Sequence, residues 1–308
     1  MVYTHKKDMF FFFLVLNLFF SSQTLPITPQ ENTIRIRTIL DESEDPTTPF
    51  KLFLSLLKIQ YKNDLESLVK ATQEKWLRPK GKERWQIEDK FSDKKDHTVP
   101  FLNYFEMIKT IQAKDKEYEY VIILGAYGPG LVKRISFFLK ELNRSIKYKQ
   151  LVFLTSARKL VPDMENTKEV QALIDKQLPK KNNLNLHNIE PTTETEMAQF
   201  IFDQIEFPNE LQEPVTVTFV DTPLQKNGHV RRANTADTLK EWLITNPQPG
   251  SCLFISNQPF VMYQDTIIRK LIPKDFIVET IGPEIQGDIN IWVCLDSIAR
   301  TLYSKYMY

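Results

Sequence analysis

Four short apolar runs in the chain are each followed by residues that can hold an anion or move a proton. Tyr120–Leu124 leads into Gly125, Gly128 and Gly130, with Arg134 one turn further on. Leu151–Thr155 leads into Ser156, Arg158 and Lys159. Val215–Val220 leads into Asp221, and beyond it come Arg231, Arg232, Asn234 and Thr235. Cys252–Ile255 leads into Ser256, Asn257, Gln258 and Pro259, with Tyr263 and Gln264 behind them. Glycine lets a backbone approach closely, a helix N-terminus favours negative charge, and arginine grips phosphate or carboxylate with two parallel donors. If the runs are parallel strands, all these residues gather at one sheet edge, where open α/β sheets bind ligands. Their types then point to an anionic small molecule. Arg158 and the Arg231–Arg232 pair have a second reading, as ion-paired or solvated side chains, and Asn234 with Thr235 would cap a helix in any case.

For proton transfer the best placed carboxylates are Asp221, directly after a strand, and Glu194, in the first turn of an expected helix; Glu165 is a third. Other chemistries lack their residues. The glycine turn spells GxxGxG, which is neither the dinucleotide GxGxxG nor a P-loop, and the second strand ends in Thr155-Ser156, without the acid that would hold an NAD ribose. No HExxH or CxxC occurs, and His5, His97, His187 and His229 fit no metal-ligand spacing. Ser156 and Ser256 lack the G-x-S-x-G elbow of a serine hydrolase. No cofactor is evident from the residues.

The elements that must position these residues read as follows. Residues 1–24 have the order of a secretory signal: Lys6 and Lys7, the apolar run Met9–Phe20, then Ser21, Ser22 and Thr24. That run is shorter than the roughly 20 residues of a membrane span. The protein is thus expected to be exported, periplasmic or secreted, with no permanent span once the signal is cleaved. Residues 25–45 are a polar linker. Residues 46–112 form a helical subdomain, with helices over Phe50–Gln60, Asp64–Leu77 (capped by Asn63) and Thr98–Ile111. The charged, aperiodic residues 78–97 between them read as a surface excursion. From 118 to 308, strands alternate with helices of 11–14 residues, among them Leu131–Leu142, Glu165–Leu178, Glu194–Ile205, Asn234–Thr245 and Val261–Leu271. That alternation predicts an α/β fold, a Rossmann-like, mainly parallel open sheet with helices on both faces. Phe276–Ile281 and Ile289–Cys294 read as a last, antiparallel strand pair before a helix over Leu295–Tyr306. Cys252 and Cys294 are expected to be buried thiols, with a disulfide as the alternative.

The composition agrees. With 308 residues, 42% of them hydrophobic, the chain can fill a core and is not disordered. Forty Lys and Arg against 39 Asp and Glu leave a net charge of +1, which argues against a nucleic-acid partner.

The order LGAYGPG, LTSAR, TETEMA, ANTADTLKEWL and LFISNQPF resembles the YdcF/SanA/ElyC-like superfamily of bacterial domains, over residues 118–285. The resemblance implies a Rossmann-like fold, export or anchoring, a role in envelope biogenesis and, from one branch, S-adenosylmethionine as a ligand. It matches Gly125 to the first glycine turn, Ser156 to the second loop, Glu194 to an acid at a helix start, Asn234-Thr235 to an "NT" signature and Ser256 to the last motif. The histidine of that last motif is absent, and Gln258-Pro259-Phe260 occupy the region. Three functions follow as expectations. The first is binding of an anionic small molecule or envelope precursor at the sheet edge, with enzyme activity left open. The second is a non-catalytic envelope or secreted interaction protein that docks through 46–112. The third, a cytosolic S-adenosylmethionine-binding enzyme, requires that 1–24 not act as a signal.

Overall fold

Strands buried on both faces need continuous apolar runs, and the segments VIIL, LVFL and CLFI supply them. In the computed structural model, which describes residues 35–181, 190–207, 215–227 and 229–307, they form the centre of a five-stranded, all-parallel sheet. Its strands are β1 (Glu117–Leu124), β2 (Lys147–Ser156), β3 (Thr216–Thr222), β6 (Ser251–Ile255) and β7 (Ile277–Ile281), in the order β3-β2-β1-β6-β7. A two-stranded antiparallel ribbon, β4 (Gln225–Asn227) with β5 (His229–Arg231), stands apart from it. Helices α4 (Gly128–Leu142), α5 (Thr167–Gln177) and α6 (Glu194–Asp203) cover one face, burying Ile135, Phe138, Val170, Met197 and Ile201. Helices α7 (Thr235–Ile244) and α8 (Val261–Leu271) cover the other with Leu239, Trp242 and Ile268. The fold is therefore the α/β, Rossmann-like sheet expected from the sequence. The segment 1–24, residues 25–34 of the linker and His187 lie outside the described residues.

The N-terminal helices are α1 (Thr48–Leu56), α2 (Leu65–Trp76) and α3 (Lys95–Tyr104). Thr47 caps α1, and Asp64, rather than Asn63, caps α2 through a 2.7 Å bond from Ser67 N–H. Helix α3 begins before Thr98 and carries Pro100 inside it. Their common core is aromatic: the ring of Phe53 lies 5.3 Å from that of Phe105, 5.5 Å from Phe101 and 6.0 Å from Trp76. The described residues make up one compact unit. The join is made by α9 (Ile291–Met307), which packs along both α2 and α8, and by Gln258, whose amide donates to the carbonyls of Glu106 and Lys109.

Helix α9 corrects one expectation. Ile289–Cys294 is no strand, so the sheet ends at β7 with no antiparallel pair. Asn290 Oδ1 accepts from Val293 N–H at 3.1 Å, and Asp89 accepts from the N–H groups of Ile291 (2.6 Å) and Trp292 (3.2 Å). These bonds satisfy the open donors of a helix start. Asp89 comes from the segment that reads as a surface excursion, so the nucleus of α9 is tertiary. Residues Ile291, Leu295, Ile298 and Leu302 then fall on one buried stripe. Cys294 sits in this helix and Cys252 on β6; both are buried and free, with burial raising both thiols.

Phe53→Ala is expected to destabilise by about 3–5 kcal/mol, the cost of a large cavity in an aromatic core. Urea unfolding should show one transition at a lower midpoint with unchanged slope, because the helices and the sheet share α9. A second transition would instead show that the N-terminal helices unfold separately.

Candidate functional site

Along the order β3-β2-β1-β6-β7 the chain reverses direction between β1 and β6. The loops after these two strands must therefore part, which opens the crevice where such sheets take ligands. Arg134, on α4, closes the base of that crevice. Its Nη1 donates to the carbonyls of Leu124 (2.6 Å) and Gly125 (2.7 Å) at the end of β1. Its Nε and Nη2 both donate to Asn257 Oδ1 after β6, at 3.0 and 2.8 Å. Arg134 is only 3% exposed, and among the described residues no carboxylate comes within ion-pair distance of it. Burial, reinforced by the nearby Arg84 charge and opposed by Glu194 and Tyr127, pushes its guanidinium down to about 9.

Beside it lies a second buried charge group. Arg158 gives Glu165 two bonds, Nη1 to Oε2 at 2.6 Å and Nη2 to Oε1 at 2.9 Å. Glu165 also accepts from the N–H of Gly128 (2.9 Å) and of Val161 (2.9 Å). Burial would raise the Glu165 carboxyl, but Arg158 and the two backbone donors outweigh it and hold the group below its ordinary value. Thus Gly128 N–H at the start of α4, an expected ligand donor, already faces an internal carboxylate. Arg158 is likewise committed to an ion pair.

Glu194 differs. It opens α6, where Thr193 and Glu196 form a capping box. Its Oε2 accepts from Ser156 Oγ at 2.6 Å and lies 3.6 Å from Arg158 Nε. Burial raises its proton affinity, Glu165 adds to this, and Arg158, Ser156 and Arg134 only partly offset it. A Cβ on Gly125 would sit 2.6 Å from both Glu194 Oε1 and the Leu154 carbonyl oxygen. The glycine therefore brings the carboxyl of Glu194 against the end of β1. A buried acid of raised proton affinity, hydrogen-bonded to a hydroxyl and facing cations, is equipped for general acid–base work.

The other expected residues divide. Ser256 donates to Gln264, whose amide donates to Thr235 Oγ1 at 3.3 Å, tying β6 to α7. Asn234 caps α7, accepting from Ala236 and Asp237 N–H. Arg232 is paired to both oxygens of Glu83 at 3.1 Å. Asp221 lies on the edge strand β3, is exposed, and accepts from Thr195 Oγ1 at 2.6 Å, apart from the Arg134–Glu194 group.

Sequence reasoning missed Arg84. Its guanidinium carbon lies 3.8 Å above the centre of the Phe260 ring, next to the β6 loop. Its Nε is buried with no hydrogen-bond partner, and it makes no ion pair among the described residues. Burial, opposed by Asp296 and aided by Arg78 and Arg300, pushes it down to about 10. The charged, aperiodic texture of 78–97 hides it; only its place near Trp85 and Ile87 in an otherwise polar run hints at anchoring. Among the described residues no group of three His, Cys, Asp or Glu could hold a metal ion. No family model matches this chain, and no curated protein matches it.

Glu165→Gln should cost about 3 kcal/mol near pH 7, the low end for a broken buried pair, since Arg158 loses its two short bonds and keeps only the 3.6 Å contact with Glu194. The folded carboxyl titrates below the unfolded value of 4.5, so the wild type's advantage is full above that value and is lost as pH falls through the folded one. Urea unfolding of both proteins near neutral pH and at about pH 3 measures the gap at each. A gap that does not shrink in acid would contradict the pairing.

Proposed function

We propose that the protein binds an anionic small molecule in the crevice between the ends of β1 and β6, with Arg134 and Arg84 supplying positive charge and Glu194 carrying a proton to or from the ligand. One observation supports this above the others: Arg134, buried and without an ion pair among the described residues, lies near both Arg84, likewise without one, and Glu194, a buried carboxyl of raised proton affinity. Structural arginines usually have their charge paired, because an unpaired buried charge is costly. An anion entering here would relieve both arginines. It would also raise the proton affinity of Glu194 further, so binding and protonation are coupled. The expected export segment makes an envelope precursor a natural class of ligand, and the resemblance to the YdcF/SanA/ElyC-like domains adds S-adenosylmethionine to the molecules worth trying.

Titration calorimetry of the full chain with sulfate, a dianion of constant charge near neutral pH, tests the coupling. Repeating it in buffers of different ionisation heat measures proton uptake. Binding with uptake of part of a proton, abolished in Glu194→Gln while sulfate still binds, is the expected result. Uptake unchanged in that variant would remove Glu194 from the role. If sulfate, S-adenosylmethionine and nucleotides all fail to bind, the reading itself falls, and weight moves to an interaction protein.

A further inference from the structure

The crevice has a second wall that the strand-edge residues do not explain. It is built by the segment after α2 and by α9. Asp296, fully buried on α9, accepts from Arg300 Nε at 2.8 Å and Nη2 at 3.2 Å, and from Arg78 N–H at 3.1 Å. Glu83 is spent on Arg232. Both carboxylates of this wall are therefore taken, by Arg300 and Arg232. The Arg78 side chain has no ion pair among the described residues, and its Nη1 is buried without a hydrogen-bond partner; Arg84 is in the same position through Nε. Arg78 lowers the proton affinity of Arg84, and Arg300 lowers that of both, which places the three within one electrostatic neighbourhood. Arg84 stacks on Phe260, beside the loop after β6 that Arg134 holds through Asn257, and its charge lowers the proton affinity of Arg134, so the wall adjoins the crevice.

Four arginines here face two carboxylates, and two donors are buried unsatisfied. Such a donor costs stability unless something takes it. The arrangement asks for a compact group with several acceptor oxygens and about two negative charges. A phosphoryl group meets both demands, since its oxygens match the planar fork of arginine. A single carboxylate would leave one guanidinium uncompensated.

We infer that Arg78 and Arg84 form a phosphoryl-binding subsite, held in place by the Asp296–Arg300 and Glu83–Arg232 pairs, so that the ligand of the crevice is a phosphorylated molecule. This rests on the anion-binding reading above and specifies its ligand. The rest of such a ligand extends from Arg84 past Phe260 toward Arg134 and Glu194.

Thermal unfolding of the full chain with inorganic diphosphate and with glycerol 3-phosphate tests the inference, using Arg84→Met and Arg78→Met. Removing a buried, unpaired charge should leave the ligand-free Tm equal to or above that of the wild type. The same variants should need at least tenfold more phosphate compound for a given rise in Tm. A stronger response to diphosphate would mark a diphosphate group, and a stronger response to glycerol 3-phosphate a phosphate ester; either supports the subsite. An undiminished response in both variants overturns it. A ligand-free Tm well below the wild type overturns it too, because the arginines would then be structural. If the wild type binds sulfate but neither phosphate compound, this inference fails and the anion-binding reading survives; if it binds none of them, both fail.

Discussion

The crevice depends on one buried guanidinium. Arg134 reaches from α4 to the carbonyls of Leu124 and Gly125 at the end of β1 and holds the side-chain amide of Asn257 after β6, joining the two diverging loops. A lysine could not replace it, because four donors must leave one planar group in two directions. The charge needed for that task is left without a counter-ion. The stitch that shapes the loops is thus also a source of positive potential there, and under the proposed function stability and binding would draw on the same side chain.

Rossmann-like folds commonly place a ligand phosphate at the N-terminus of the first helix. Here Glu165 takes the Gly128 N–H at that place and is itself neutralised by Arg158. An internal carboxylate thus occupies a seat that elsewhere suits a phosphate. Among the described residues Arg134, Arg84 and Arg78 make no ion pair. On the proposed reading the anion would sit away from the helix terminus, toward α9 and the segment between α2 and α3, which carries Arg78 and Arg84.

Much of this was legible in the sequence. The apolar runs and the Asn234 cap follow from local pattern, and the parallel sheet and the start of α7 bear them out. What local pattern could not reveal is which polar groups would consume one another. Arg158 and Glu165 are seven residues apart in the loop between β2 and α5, and nothing in that loop says that they close on each other. Ile289–Cys294 reads as a strand because its apolar run is short; Asp89, some 200 positions earlier, helps to make it a helix. Arg84 is invisible for the same reason. Its burial is set by Phe260 and α9, which are distant in sequence.

The most direct measurement is a crystal structure of the protein grown with tungstate, a tetrahedral oxyanion located by its anomalous scattering. The account predicts one dominant peak within hydrogen-bonding distance of Arg84, and of Arg78 or Arg134. A peak at the N-terminus of α4 displacing Glu165, or crystals that hold tungstate only on the outer surface, would contradict it.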